Sequence, residues 1–109
     1  MSFESFMNVD IRSGLVIKVE CFPRAKKPAY KIWVDFGKEI GIKQTSAQVT
    51  HNYTPESLVG KAVMGAINLG SRNIAGFMSE FLLLGFEDGA GEIILAVPDK
   101  DVPKGKRLC

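Results

Sequence analysis

Ala66–Gly85 reads AINLGSRNIAGFMSEFLLLG. One apolar run ends at Asn68, a polar stretch with Arg72 and Asn73 lies between Gly70 and Gly76, and Ser79-Glu80 leads into a second apolar run. Both runs are too short for long helices, which predicts two strands presenting a polar loop, the kind of segment in which binding residues gather.

Working outward, Leu15, Ile17 and Val19 alternate with Val16, Lys18 and Glu20, the period of a half-buried strand. Cys21–Ala29 holds two prolines and the densest cluster of Lys and Arg, and reads as a loop. Tyr30–Phe36 alternates again, with Lys31 and Trp33 opposite the aliphatic positions, and Ile40–Ser46 places Lys43 opposite Ile42. Three such strands predict a curved antiparallel sheet with one exposed face shared by Arg12, Lys31 and Lys43. Thr54-Pro55-Glu56 has an N-cap, a proline at the first helical position and an acidic first turn, and Gly60 ends this short helix. Ala62–Asn68, Phe81–Phe86 and Glu92–Val97 complete a set of six strands. Three strands, a short helix and two more strands is the order of a five-stranded OB-fold barrel. A small sandwich would show similar short runs. The fold class is therefore all-β, with short helices and added terminal segments.

With 109 residues, 46% hydrophobic and 24% charged, residues 1–109 are expected to form a single domain with a real core. The net charge of +2 is too small to mark a nucleic-acid binder by itself. Cys21 and Cys109 lack ligand spacing and read as free thiols in a reducing compartment. Glu4 and Asp10 interrupt the N-terminal apolar residues, and no run approaches the roughly 20 residues that span a bilayer. A cytoplasmic protein with no membrane insertion is expected. Ser2 caps a short helix in which Phe3, Phe6 and Met7 form one apolar stripe, to be covered by this domain or by a second copy.

An enzyme is not expected. His51 is the only histidine, no Cys/His or Ser/His pairing is evident, and no residue pattern calls for a metal or other cofactor. The candidate ligand residues are Arg12, Lys31, Lys43, Asn68, Arg72, Asn73, Phe77, Met78, Ser79 and Glu80. A guanidinium suits carboxylates, phosphates and peptide carbonyls alike. Phe77 and Met78 supply adaptable apolar contacts, while Ser79 and Glu80 are equally suited to satisfying loop backbone groups.

Asp10-Ile11-Arg12-Ser13-Gly14, Asp35-Phe36-Gly37, Asn68-Leu69, Arg72–Phe77, Ser79-Glu80 and Leu82–Gly85 together resemble the tRNA-binding domain shared by free tRNA-binding proteins, some aminoacyl-tRNA synthetases and CsaA-type secretion chaperones. Ile40–Gln48 and Ile74–Glu80 look most similar to the chaperone branch. The resemblance implies an OB-fold homodimer joined partly through the N-terminal helix. It also implies binding of unfolded polypeptides or preproteins, cooperation with the preprotein translocation motor, and tRNA as the alternative ligand. In the tRNA-binding branches the loop carries more basic residues. Asn73 and Ala75 stand there in this chain, and Phe81-Leu82 follow Ser79-Glu80 where Gly-Met is usual, which favours polypeptide over phosphate.

Overall fold

The computed structural model describes residues 2–109; Met1 lies outside them. From the N terminus the elements are α1 (Phe3–Met7), β1 (Ile11–Cys21), β2 (Tyr30–Asp35), β3 (Ile42–Ala47), α2 (Pro55–Leu58), β4 (Ala62–Ala66), β5 (Arg72–Ile74), β6 (Phe77–Ser79), β7 (Leu82–Leu83), β8 (Gly85–Glu87) and β9 (Ile93–Leu95).

The alternating segments form one sheet in the order β3-β2-β1-β4-β7, antiparallel at every pairing, so β3 and β7 run in the same direction at its two edges. The register of β1 on β2 shifts between Val16 and Lys18, and such a bulge bends a strand. The bend divides β1 between two partners: Ile11–Leu15 pair with β4 and Leu15–Cys21 with β2. The sheet curls into a nearly closed five-stranded OB-fold barrel. Val16, Ile32, Val34, Phe36 and Val63 fill it, Leu58 brings α2 onto the same core, and Phe36 meets Phe81 edge-on with ring centroids 5.0 Å apart. Gly65 is required where the strands crowd: a Cβ there would lie 2.8 Å from Phe81 and 2.9 Å from Phe36.

Polar atoms of the opening stretch close the barrel. Glu80 donates its N–H to the Gln44 carbonyl at 2.8 Å, and its Oε1 accepts from the Gln44 N–H at 2.9 Å. Ser79 Oγ accepts from the Ser46 N–H at 3.2 Å, and Thr45 Oγ1 donates to the Phe81 carbonyl at 2.7 Å. Without these bonds the edge of β3 would leave buried polar groups unpaired.

Several expectations need correction. The polar segment between the fourth and fifth strands is a β-hairpin, with β5 paired to β6 through Arg72↔Ser79, Asn73↔Met78 and Ile74↔Phe77. Its turn residues, Ala75 and Gly76, both have positive φ (49° and 86°), as a two-residue type I′ connection requires. The predicted strand Phe81–Phe86 divides into β7 and β8, and β8 turns away to pair with β9. Arg12, Lys31 and Lys43 do not share a face. Lys43 pairs with the buried Val34, and Arg12 opposes Gly65, which points at the core. Lys31 lies on the outer side with Trp33. On α1 no residue is buried: Phe3 is 76% exposed, while Phe6 at 37% and Met7 are partly covered within this domain.

Candidate binding site

Two features stand out on the barrel surface, one on each side of the β5–β6 hairpin.

The first is a ridge of rings and ammonium groups. Alternation turns Lys18 and Glu20 of β1, Lys31 and Trp33 of β2, and Gln44 and Ser46 of β3 to the outer face. The hairpin folds across this face. Phe77 reaches inward and meets Phe22 at 5.5 Å and Trp33 at 5.9 Å between centroids, both edge-on. Lys31 Nζ lies 4.9 Å from the Phe22 ring and 5.1 Å from the Phe77 ring, and Lys18 Nζ lies 4.7 Å over Trp33. Each contact places a cation against the negative face of an aromatic ring. Beside them a depression of about 230 Å³ is lined by Pro23, Arg24 and Gly76.

The second is a groove of about 980 Å³. Ser46–Val49 and Leu82–Gly85 line it, with Arg72 and Ile74 from the hairpin, Glu87 and Glu92 from the β8–β9 segment, and Lys27 and His51. Its surface mixes aliphatic side chains with both signs of charge, which suits a varied ligand held by several weak contacts.

The predicted site residues divide between these features and the framework. Arg12 belongs to the framework: Nε and Nη2 donate to the two Asp10 carboxylate oxygens at 2.7 and 3.3 Å, and Nη1 donates to the Gly105 carbonyl at 2.9 Å. The bond to Asp10 raises the guanidinium's pKa further above its ordinary value. Arg107, whose Nη2 donates to the Met7 carbonyl, joins the same cluster from the C-terminal segment and lies 3.7 Å from Asp10. Asn68 is occupied too, accepting from the Asp10 N–H at 2.8 Å and donating to the Asn8 carbonyl at 2.7 Å. Ser79 and Glu80 carry the bonds that close the barrel.

Asn73 Oδ1 accepts from the Gly76 N–H at 2.9 Å and so supports the turn. Phe77 and Met78 lie on opposite faces of the hairpin and form no common pocket: Phe77 packs on the ridge, while Met78 is 44% exposed. Lys31 is on the ridge, Arg72 is in the groove, and Lys43 is in neither. The sequence reading missed Phe22, Lys18 and the groove walls at Gln48 and Leu83. Only Trp33 carried a signal, its place on the outer side of an alternating strand. Among the described residues no His, Cys, Asp and Glu group is arranged to hold a metal ion, and no helix is long and apolar enough to cross a membrane.

Comparison with known proteins agrees with this architecture. Methionine–tRNA ligase of Methanosarcina mazei is 36% identical over 108 residues, covering 99% of this chain and 15% of the ligase, so the chain corresponds to a small part of that protein. The crystal structure of chaperone CsaA from Bacillus anthracis str. Ames superimposes with a TM-score of 0.94 at 39% identity, covering 100% of this chain and 98% of that one. The CsaA chaperone protein from Picrophilus torridus gives 0.94 at 38%, covering 100% and 99%. Residues 11–107 match the family model described as "Putative tRNA binding domain", and with nearly its whole length accounted for, the chain belongs to the tRNA-binding domain family.

Proposed function

We propose that residues 1–109 act as one non-enzymatic binding domain, a homodimeric cytoplasmic chaperone that holds unfolded polypeptides or preproteins and passes them to the preprotein translocation motor. The groove carries this reading. At about 980 Å³ it has the size of a ligand site, and its lining combines aliphatic side chains with Arg72, Lys27, Glu87 and Glu92. A polypeptide brings apolar side chains and both charge signs, matching a lining that holds Lys27 and Arg72 as well as the two carboxylates. The likeness to the two CsaA chaperone structures supports the same choice, while the family model and the methionine–tRNA ligases support tRNA at least as well. Dimerisation accounts for two apolar patches that this chain leaves bare, Phe3 on α1 at 76% exposed and Phe86 on β8 at 70%.

Transfer RNA is the second reading, favoured by the ridge. Lys31 is held in place over aromatic rings, with Arg24 nearby, so positive charge faces solvent there, as contacts to an RNA backbone require, while Lys18 over Trp33 is paired with Glu20 at 3.1 Å. Titration of the protein with tRNA and with an unfolded polypeptide at rising salt separates the two. Polypeptide binding that persists at moderate salt, with suppression of aggregation, is expected. Tight tRNA binding with a steep salt slope and no effect on aggregation refutes the chaperone reading.

A further inference from the structure

The seam between β3 and β7 is closed along only half its length. Bonds from Ser79, Glu80 and Phe81 reach Gln44, Thr45 and Ser46 and go no further. Beyond that point the groove is lined by both edges. Backbone groups on an edge strand point alternately toward and away from the neighbouring strand. Gln44 and Ser46 direct theirs outward, to Glu80 and Ser79, and the same alternation carried one residue past the end of β3 turns those of Gln48 the same way. Among the described residues Gln48, an exposed residue, has no backbone hydrogen-bond partner. On the opposite wall, the Leu84 N–H donates to the Met64 carbonyl at 3.0 Å. That bond marks the positions on either side of Leu83 as the ones that face β4, and it turns the N–H and carbonyl of Leu83 into the groove. Two parallel strands therefore present unpaired main-chain groups to one another across an open slot.

We propose that this open half of the seam receives a single extended segment of polypeptide, inserted as a strand between Gln48 and Leu83. The inference rests on the polypeptide reading of the groove and gives it a binding mode. Because β3 and β7 run in the same direction, one guest strand can pair with both, and antiparallel to both is the more stable arrangement. Alternate guest side chains then point down onto Val49 and Leu84 and out to solvent. The guest's C-terminal end comes to the closed end of the seam, beside Arg72, so an acidic residue there gains a charged partner. Main-chain bonds supply affinity independent of sequence, as in other cases of strand addition, which suits a binder of varied polypeptides.

The test uses the full chain and an amidated synthetic peptide, acetyl-KVTVTVE, with two derivatives N-methylated either at every valine or at every threonine. Each derivative keeps its side chains and loses its bonds to one wall. Both are expected to bind about tenfold more weakly or worse than the parent. In the complex, the amide protons of Gln48 and Leu83 are expected to exchange more slowly than in the free protein. The Gln48→Pro variant removes a donor that has no partner in the free protein, and weakens binding of the parent peptide and of the derivative that keeps its bonds to the Gln48 wall, leaving the other derivative unchanged. If the methylated peptides bind as well as the parent, or the newly protected amides lie elsewhere, the strand slot is refuted while the polypeptide reading stands. If neither the peptide nor an unfolded polypeptide binds, the polypeptide reading itself falls.

Discussion

Replacing Ser79 with alanine tests whether the polar residues at the end of Ala66–Gly85 hold the barrel shut. Ser79 is buried, with 8% of its surface exposed. Its Oγ accepts from the Ser46 N–H at 3.2 Å and lies 2.9 Å from Thr45 Oγ1. Thr45 has one hydroxyl proton, and the Phe81 carbonyl at 2.7 Å claims it. Ser79 is then the donor to Thr45, and the bonds form a relay: Ser46 N–H to Ser79, Ser79 to Thr45, Thr45 to the Phe81 carbonyl. Ser79→Ala leaves the Ser46 N–H and one Thr45 lone pair without these partners in a partly buried place. An unsatisfied buried group costs about 1–3 kcal/mol, and for a domain of this size each kcal/mol lowers Tm by about 4–5 °C. Thermal unfolding followed by circular dichroism is therefore expected to show a loss of about 5–15 °C. Thr45→Val breaks the same relay, so the double variant should lose less than the sum of the two single losses. Hydrogen exchange at Ser46 should quicken in either single variant. A melting point within about 1 °C of the parent, or strictly additive losses, would show that the relay does not hold the seam.

Gly65→Ala drives a methyl group to 2.8 Å from Phe81 and 2.9 Å from Phe36, and overpacking of this kind costs about 1–3 kcal/mol, readable as a lower urea midpoint with an unchanged slope. Acid should loosen the C-terminal segment. The Lys104 ammonium, and after it the Gly37 N–H, hold the Asp35 carboxyl below the usual aspartate range. A depressed carboxylate contributes stability that is present above the unfolded value of about 3.9 and is lost as pH falls through the lower folded value. Urea midpoints measured from neutral pH down past pH 4 should therefore fall less steeply in Asp35→Asn than in the parent, and equal slopes would exclude this pair as the cause. Phe3→Asp places a charge on α1 and should shift the protein to monomers in sedimentation velocity; a variant that stays dimeric removes α1 from the interface.

The strands of the barrel could be read from the chain because each has one face in the core, and a buried face forces period-2 alternation. Tyr30–Asp35 is the clearest case, buried at every second residue. Where that condition fails, so does the reading. At the start of β3, near the rim of the barrel, Ile42 is 58% exposed while Lys43 is only half-buried. Alternation still separates the two faces there but no longer says which one is inside, and Lys43 was assigned to the wrong side for that reason. The β5–β6 hairpin was hidden for a different one. Its strands have three residues each, too few for a period, and its turn is Ala75-Gly76 in place of the Asn-Gly or Asp-Gly that announces such a connection. Phe22 was unreadable because its partner Phe77 is brought to it only by the folded hairpin.

The same hairpin explains why side-chain polarity was a poor guide to the site. Asn68, Ser79, Glu80 and Arg12 are the kinds of residue that recognise ligands, and each is engaged by the protein's own framework: Asn68 and Arg12 tie the terminal segments, Ser79 and Glu80 the barrel seam. A barrel that closes largely through side chains along half of an edge leaves the other half with main-chain groups unpaired, and main-chain groups carry no signature in a sequence. The groups best placed to hold an extended polypeptide are accordingly the backbone of Gln48 and Leu83, two residues that composition, charge and motif all pass over. Removing the side chain of Gln48 with alanine should thus leave binding of an extended peptide unchanged, while proline at the same position weakens it. Equal effects of the two substitutions, measured on the same peptide, would place the recognition in the side chain and overturn the argument.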